Sequence, residues 1–130
     1  MSVVSINKGV RISPRKVGVV ASLVRGRSVN DAITILEHTP RRAALAVKKT
    51  VRSAQANAEH NHNYKPNTLF ITEISVTPGP RFKRFRAAAR GRALRYQHKT
   101  SHIRVVVDGE IRQPKKPSTA KVVEKKEETK

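Results

Sequence analysis

Between Thr77 and Val107 the chain carries seven arginines and two lysines, and not one aspartate or glutamate. The cations are Arg81, Lys83, Arg84, Arg86, Arg90, Arg92, Arg95, Lys99 and Arg104. Solvated charged faces normally mix signs, so a block of one sign calls for an anionic partner. The bias towards arginine narrows the chemistry further. A guanidinium meets phosphate through two parallel N–H donors and stacks on a base, whereas an ammonium acts as a point charge. Small residues interleave the cations (Ala87, Ala88, Ala89, Gly91, Ala93) and let the backbone enter a narrow channel. Phe82, Phe85 and Tyr96 supply rings, either to stack on unpaired bases or to staple a ribbon across its two sides.

Other chemistries find less support. His60 and His62 could place two imidazoles together on a strand, but no third ligand stands nearby. His98 and His102 would stand one helical turn apart only if that segment were helical, and it reads as strand. Serine, histidine and aspartate are all present, without a nucleophile elbow or a glycine-rich turn after a strand. The four acids of the first 76 residues are scattered, which leaves paired-carboxylate catalysis without a basis. There is no cysteine, hence no disulfide and no thiolate. No catalytic residue, metal ligand or cofactor is expected, and the chain reads as a non-enzyme.

The charge imbalance extends to the whole chain: 130 residues hold 28 Lys+Arg against 9 Asp+Glu, a formal net charge of +19. Self-repulsion on that scale disfavours an isolated compact state unless an anion surrounds it. The length suits one domain with a modest core. No apolar run approaches the ~18 residues of a membrane span, and no apolar leader opens the chain. A small, soluble, intracellular polyanion binder is expected, with no membrane partner.

The cations must be positioned by a scaffold that the periodicities outline. Val4, Ile6, Val10 and Ile12 have the two-residue spacing of a half-buried strand. Ser13-Pro14 reads as an N-cap with proline in the first helical position, and Val17, Val20, Ala21 and Val24 form the stripe of a helix that Gly26 stops. Ser28 and Asp31 resemble a capping box ahead of Val29, Ala32, Ile33 and Leu36. Thr39-Pro40 should end that helix and open a third by the same cap-plus-proline logic, with Ala44, Val47, Val51, Ala54 and Ala58 on one face and Arg41, Lys48 and Arg52 on another. A polar loop is expected from His60 to Asn67, then a strand with Phe70, Ile74 and Val76 on one side. Thr77-Pro78-Gly79-Pro80 should make the chain bend or leave the sheet. His102 to Val107 is the last strand, with Ile103, Val105 and Val107 on one face.

The basic stretch lies between two strands, so it reads better as their extension into a hairpin turning near Arg90-Gly91 than as a helix. The fold class expected is α+β: three helices packed on a small three-stranded antiparallel sheet, with a long protruding β-hairpin arm. Residues 1–110 would form this single domain, the arm spanning about 78–102, and 111–130 a basic low-complexity tail without a core of its own.

Six segments together resemble a known family. Ser13-Pro14-Arg15-Lys16-Val17, Val24-Arg25-Gly26-Arg27-Ser28-Val29 and Ala54-Gln55-Ala56-Asn57-Ala58-Glu59-His60 are similar to helical segments of the bacterial L-twenty-two family of large-subunit ribosomal proteins. So are Gly79-Pro80, Ala89-Arg90-Gly91-Arg92-Ala93 and Lys99-Thr100-Ser101-His102-Ile103, in order across about residues 3–108. The resemblance implies a cytoplasmic protein of the ribosome that binds large-subunit ribosomal RNA and aids assembly. Its hairpin tip would line the polypeptide exit tunnel. Implied partners are that RNA, other large-subunit ribosomal proteins and the nascent polypeptide, with no homo-oligomer. RNA-binding residues would be Arg11, Arg15, Lys16, Arg25 and Arg27 in the body, and Arg81, Lys83, Arg84, Arg86, Arg90, Arg92, Arg95 and Lys99 in the arm. The tunnel-lining tip would comprise Arg84, Ala88, Ala89, Arg90, Gly91 and Arg92. The alternative is an architectural DNA-binding protein with a basic β-arm. Such arms carry an apolar or proline wedge at the tip, whereas here the prolines lie at the base.

Overall fold

The computed structural model describes residues 2–112, so the expected tail from Gln113 onward lies outside the described residues. Strand β1 (Val3–Val10) is followed by helices α1 (Pro14–Val24), α2 (Val29–His38) and α3 (Arg42–His62). A short turn, Pro66–Thr68, leads into strand β2 (Phe70–Ala87), and a second at Ala89–Gly91 leads into β3 (Ala93–Asp108). The sheet is antiparallel in the order β1-β3-β2, with β3 central. This is the expected α+β architecture with a hairpin arm.

The first two helices follow their local signals. Pro14 opens α1, Val17, Val20, Ala21 and Val24 are buried, and Gly26 takes φ +73° just beyond its end. At the start of α2 the Ser28 hydroxyl accepts from the Asp31 N–H (3.2 Å) and donates to the Asp31 carboxylate (2.7 Å). The third helix departs from expectation at both ends. It begins at Arg42, because Thr39 serves α2 instead, its hydroxyl donating to the Ile35 carbonyl at 2.7 Å. It also runs through His60 and His62, in place of the expected loop, and stops only at Asn63 in the left-handed conformation (φ 53°). The Tyr64 N–H reaches back to the Ala58 carbonyl (3.0 Å), closing the helix end. Helical geometry sets His60 and His62 on divergent sides, which ends their reading as a strand-borne pair.

The core is built from small residues. Val17, Val20, Val24, Val29, Val47 and Val51 meet Ile71, Ile74, Ile103, Val105 and Val107, with Ala43, Ala44, Ala54 and Ala58 letting α3 seat closely. Two strand faces depart from the even-spacing reading over part of their length. On β1, Val3 and Ser5 are buried while Val4 and Ile6 face out. A bulge between Asn7 and Val10, with Gly9 at φ +73°, adds a residue and restores Val10 and Ile12 to the core side. The Gly9 N–H that the bulge frees donates to His102 Nδ1 at 3.0 Å. On β2, a bulge between Ile71 and Glu73 does the same: Ile71, Ile74 and Val76 point inward, and Phe70 points outward.

Pro78 and Pro80 do not take the chain out of the sheet. β2 is an edge strand, where a missing N–H costs no ladder bond, and a bulge between Pro78 and Arg81 absorbs the pair. At this level β1 also ends, Val10 and Pro78 both pairing with Ser101, so the three-stranded sheet becomes a two-stranded ribbon. Gly79 is required here by space. A Cβ would lie 2.5 Å from Thr100 Oγ1 and 3.2 Å from His102 Cε1 and Nε2. Neither neighbour is loose, since the Thr100 hydroxyl donates to the Pro80 carbonyl (2.7 Å) and His102 holds Gly9. Gly79→Ala should destabilise the fold by about 1–3 kcal/mol, read as a lower urea midpoint at unchanged slope.

Two residues assigned to the tail belong to the body: Ile111 pairs with Tyr64, and the Arg112 N–H donates to the Asn63 carbonyl at 2.7 Å.

Candidate nucleic-acid interface

From Arg81 to Lys99 the two strands pair only with each other, through Arg81 with Lys99, Arg84 with Tyr96 and Ala87 with Ala93. Residues directly opposite share a face, so the register sorts the arm's side chains. One face carries Phe82, Arg84 and Arg86 against Leu94, Tyr96 and His98. The other carries Arg81, Lys83 and Phe85 against Arg95, Gln97 and Lys99. All of these are exposed. The eight expected arm cations are therefore brought together, four on the second face and two on the first, with Arg90 and Arg92 at the turn.

The rings serve the ribbon at least in part. The Arg95 guanidinium lies 5.8 Å from the Phe85 ring centroid, directly across the strands, and Tyr96 meets His98 edge to face at 5.2 Å. Phe82 and Tyr96 stay exposed on the same face, as stacking on a base would require. At the tip the Ala88 N–H donates to the Arg92 carbonyl (2.8 Å), and both Arg90 (φ 58°) and Gly91 (φ 67°) are left-handed. Glycine accepts that conformation freely; a Cβ-bearing arginine seldom does.

Electrostatics separates arm from body. The ion pairs among the described residues all lie in the body: Glu37 with Lys48 (3.0 Å) and Arg52 (3.1 Å), and Glu110 with Lys65 (3.1 Å). The Lys48 ammonium, bonded to the Glu37 carboxylate, holds that group below the ordinary carboxylate range. Its contribution is present at neutral pH and lost as pH falls through the lowered value. No acid plays this part for the arm.

The five body cations do not form one cluster. Arg15 is exposed on α1. Arg25 and Arg27 flank the α1–α2 turn and fasten it: Arg25 Nη2 donates to the Ile74 carbonyl (3.1 Å) and Arg27 Nε to the Leu23 carbonyl (3.0 Å). The Ile71 N–H in turn donates to the Arg27 carbonyl at 2.9 Å. These two arginines thus join helix to strand, a duty that no spacing in the chain signals. Arg11 and Lys16 line a cleft, and two residues that the sequence does not single out as a site, Arg41 and Arg42, line its far side. The only signal for them is a pair of cations directly after the helix-ending Pro40. Among the described residues no three His, Asp or Glu side chains come together as a metal site.

Residues 5–108 match the family model described as Ribosomal protein L22p/L17e. The chain is also similar to curated proteins named Large ribosomal subunit protein uL22. That of Clostridium tetani (strain Massachusetts / E88) is 49% identical over 107 residues, 82% of this chain and 96% of the relative. That of Clostridium perfringens (strain 13 / Type A) is 50% identical over 107 residues, with the same coverage of 82% and 96%.

Proposed function

The chain belongs to the ribosomal protein L22p/L17e family, and on that footing we propose how its parts divide the work. It is a non-enzymatic structural protein of the large ribosomal subunit, cytoplasmic within the ribosome, with ribosomal RNA and other ribosomal proteins as partners. The arm enters the RNA, its guanidinium groups neutralising phosphates on both faces, while the body seats on the surface and the anchored protein aids assembly. The tip, Arg84 with Ala88 to Arg92, lines the exit tunnel and meets the nascent polypeptide. One copy serves each subunit, without self-association.

A single observation carries this reading: a two-stranded ribbon, exposed on both faces, that holds nine cations with the adjoining strand end and no acid. A two-stranded ribbon buries little and repels itself at this charge density, so its stable setting is inside a polyanion. The tip also argues against a minor-groove wedge, since Arg90-Gly91-Arg92 is flanked by alanines and the prolines sit at the base. After lysis without nuclease, the protein should sediment with large ribosomal particles in a sucrose gradient and move to the top when RNase is added. Sedimentation with chromosomal DNA, or as free protein, would sink the proposal.

A further inference from the structure

The arm leaves the body at a level where both edge strands are irregular. On the β1 side, the bulge between Asn7 and Val10 sets Lys8 and Gly9 opposite His102. On the β2 side, the bulge between Pro78 and Arg81 sets Gly79 and Pro80 opposite Thr100. Between them, Ser101 pairs with Val10 on one side and Pro78 on the other. A bulge interrupts the ladder and bends its strand, so a ribbon rooted on two adjacent bulges is free to swing unless something else ties it.

Each bulge is tied by the β3 side chain that faces it. The Thr100 hydroxyl donates to the Pro80 carbonyl (2.7 Å), and His102 Nδ1 accepts from the Gly9 N–H (3.0 Å). Both bonds end on the backbone of the bulge itself and stand in for the ladder bond lost there. Thr100 and His102 lie two apart on β3 and so share its outer face. Gly79 packs against both, leaving no room for a Cβ, and thereby keeps the two side chains in place. The inner face adds no tie at this level, because Ser101 is buried with its hydroxyl unpaired among the described residues.

We propose that Thr100 and His102 are positioning residues that fix the direction in which the arm leaves the body. Accepting at Nδ1 places the imidazole proton of His102 on Nε2. About ten residues separate Ser101 from Gly91, a reach of roughly 30 Å, so a swing of about 10° at the root carries the tip through roughly 5 Å. An arm held to one direction is ready for its channel, whereas a swinging arm is competent to enter for only a fraction of the time. That consequence rests on the reading of the arm as an element that enters RNA; the two ties do not.

The test uses the full chain. In the unaltered protein, NMR of the imidazole nitrogens should show a coupling across the hydrogen bond from the Gly9 amide to an unprotonated His102 Nδ1. A proton on Nδ1 would overturn the tie. Since the chain has no cysteine, spin labels on Lys49→Cys in α3 and Gln97→Cys in the arm, both exposed positions, read the arm's direction as a distance distribution. Thr100→Val with His102→Leu should broaden that distribution about two-fold, with helix content and cooperative unfolding retained, as a strand freed at two bulges bends at both. Thr100→Ser with His102→Asn should restore the original width, because serine keeps the hydroxyl and the asparagine Oδ1 takes the place of Nδ1. An untied pair as narrow as wild type, or a conservative pair as broad as the untied one, would overturn the proposal.

Filter binding to ribosomal RNA from large subunits reads the consequence. Doubling the spread in two angular directions leaves about a quarter of the arms correctly aimed, so affinity should fall about four-fold. The slope of log K against log salt should stay unchanged, since no phosphate contact is lost. Unchanged affinity beside a broadened distribution would overturn the positioning role, and a flattened slope would replace it with direct contact. A wild-type chain that does not bind RNA would overturn the function, while the label distances would still decide the ties.

Discussion

Arg90→Glu combined with Arg92→Glu is expected to remove the protein from large ribosomal particles while leaving its body folded. The turn is held by backbone bonds, Ala88 N–H to the Arg92 carbonyl and Arg92 N–H to the Ala89 carbonyl, which the exchange does not touch. Glutamate at position 90 meets the same left-handed backbone that arginine already tolerates at φ 58°, so no new strain arises. Both sites are solvent-exposed, and surface changes of this kind usually stay within about 0.5 kcal/mol. The charge at the tip, by contrast, swings by four units, placing two carboxylates where phosphates are expected. Affinity for ribosomal RNA should fall by roughly ten-fold or more at physiological salt, with a flatter salt slope. Arg90→Lys with Arg92→Lys should fall between, since the charge remains but the bidentate fork is gone. The measurement is the share of variant protein in the large-subunit fraction of a gradient. A wild-type share for the glutamate pair would remove the tip from its assigned role.

Ile103→Ala is expected to have the largest effect on stability, because one residue serves the body and the root of the arm together. Ile103 is fully buried on central strand β3, opposite Asn7 of β1 and Val76 of β2. The core it joins is made largely of valine and alanine, short side chains that cannot reach across to refill the space. Truncation of a buried isoleucine costs about 2–5 kcal/mol, and a poorly collapsing site lies towards the upper end. Against a total of about 5–15 kcal/mol for a domain, that is a large fraction. The midpoint of thermal unfolding should drop by roughly 10 °C or more. Val4→Ala, on the outward side of β1, serves as the control and should change it little. Comparable losses at the two positions would show that the two sheet faces had been misassigned.

The helices are largely legible in the chain because their signals are local. Ser28 and Asp31 cap α2 as their spacing predicts, and the stripes from Val17 to Val24 and from Ala44 to Ala58 are the buried faces. The boundary of α3 is not legible, because Thr39 has two possible clients and the bond to Ile35 decides between them. The strand faces fail for a different reason. Period-two spacing holds only while pairing stays in register, and bulges at Gly9 and Thr72 each add one residue that the apolar pattern does not mark. Central β3 carries no such insertion beside the core, and its buried face is the one that its spacing predicts. Of the interface, the arm is legible as a block of cations, but its division into two faces follows from register alone.

Composition and near neighbours suffice for the excess of positive charge, its concentration in an acid-free stretch, the helix stripes and the family resemblance. Whatever depends on pairing over long separations emerges only in the folded molecule. There β2 becomes an edge strand, where Pro78 and Pro80 are tolerated, and Val4, Ile6 and Phe70 turn outward. There too Arg41 and Arg42 come to stand opposite Arg11 and Lys16. The reason is physical: a residue's helical period is set within a few positions along the chain, whereas its strand partner, and the hollow it lines, are set by contacts that exist only after the chain has closed on itself.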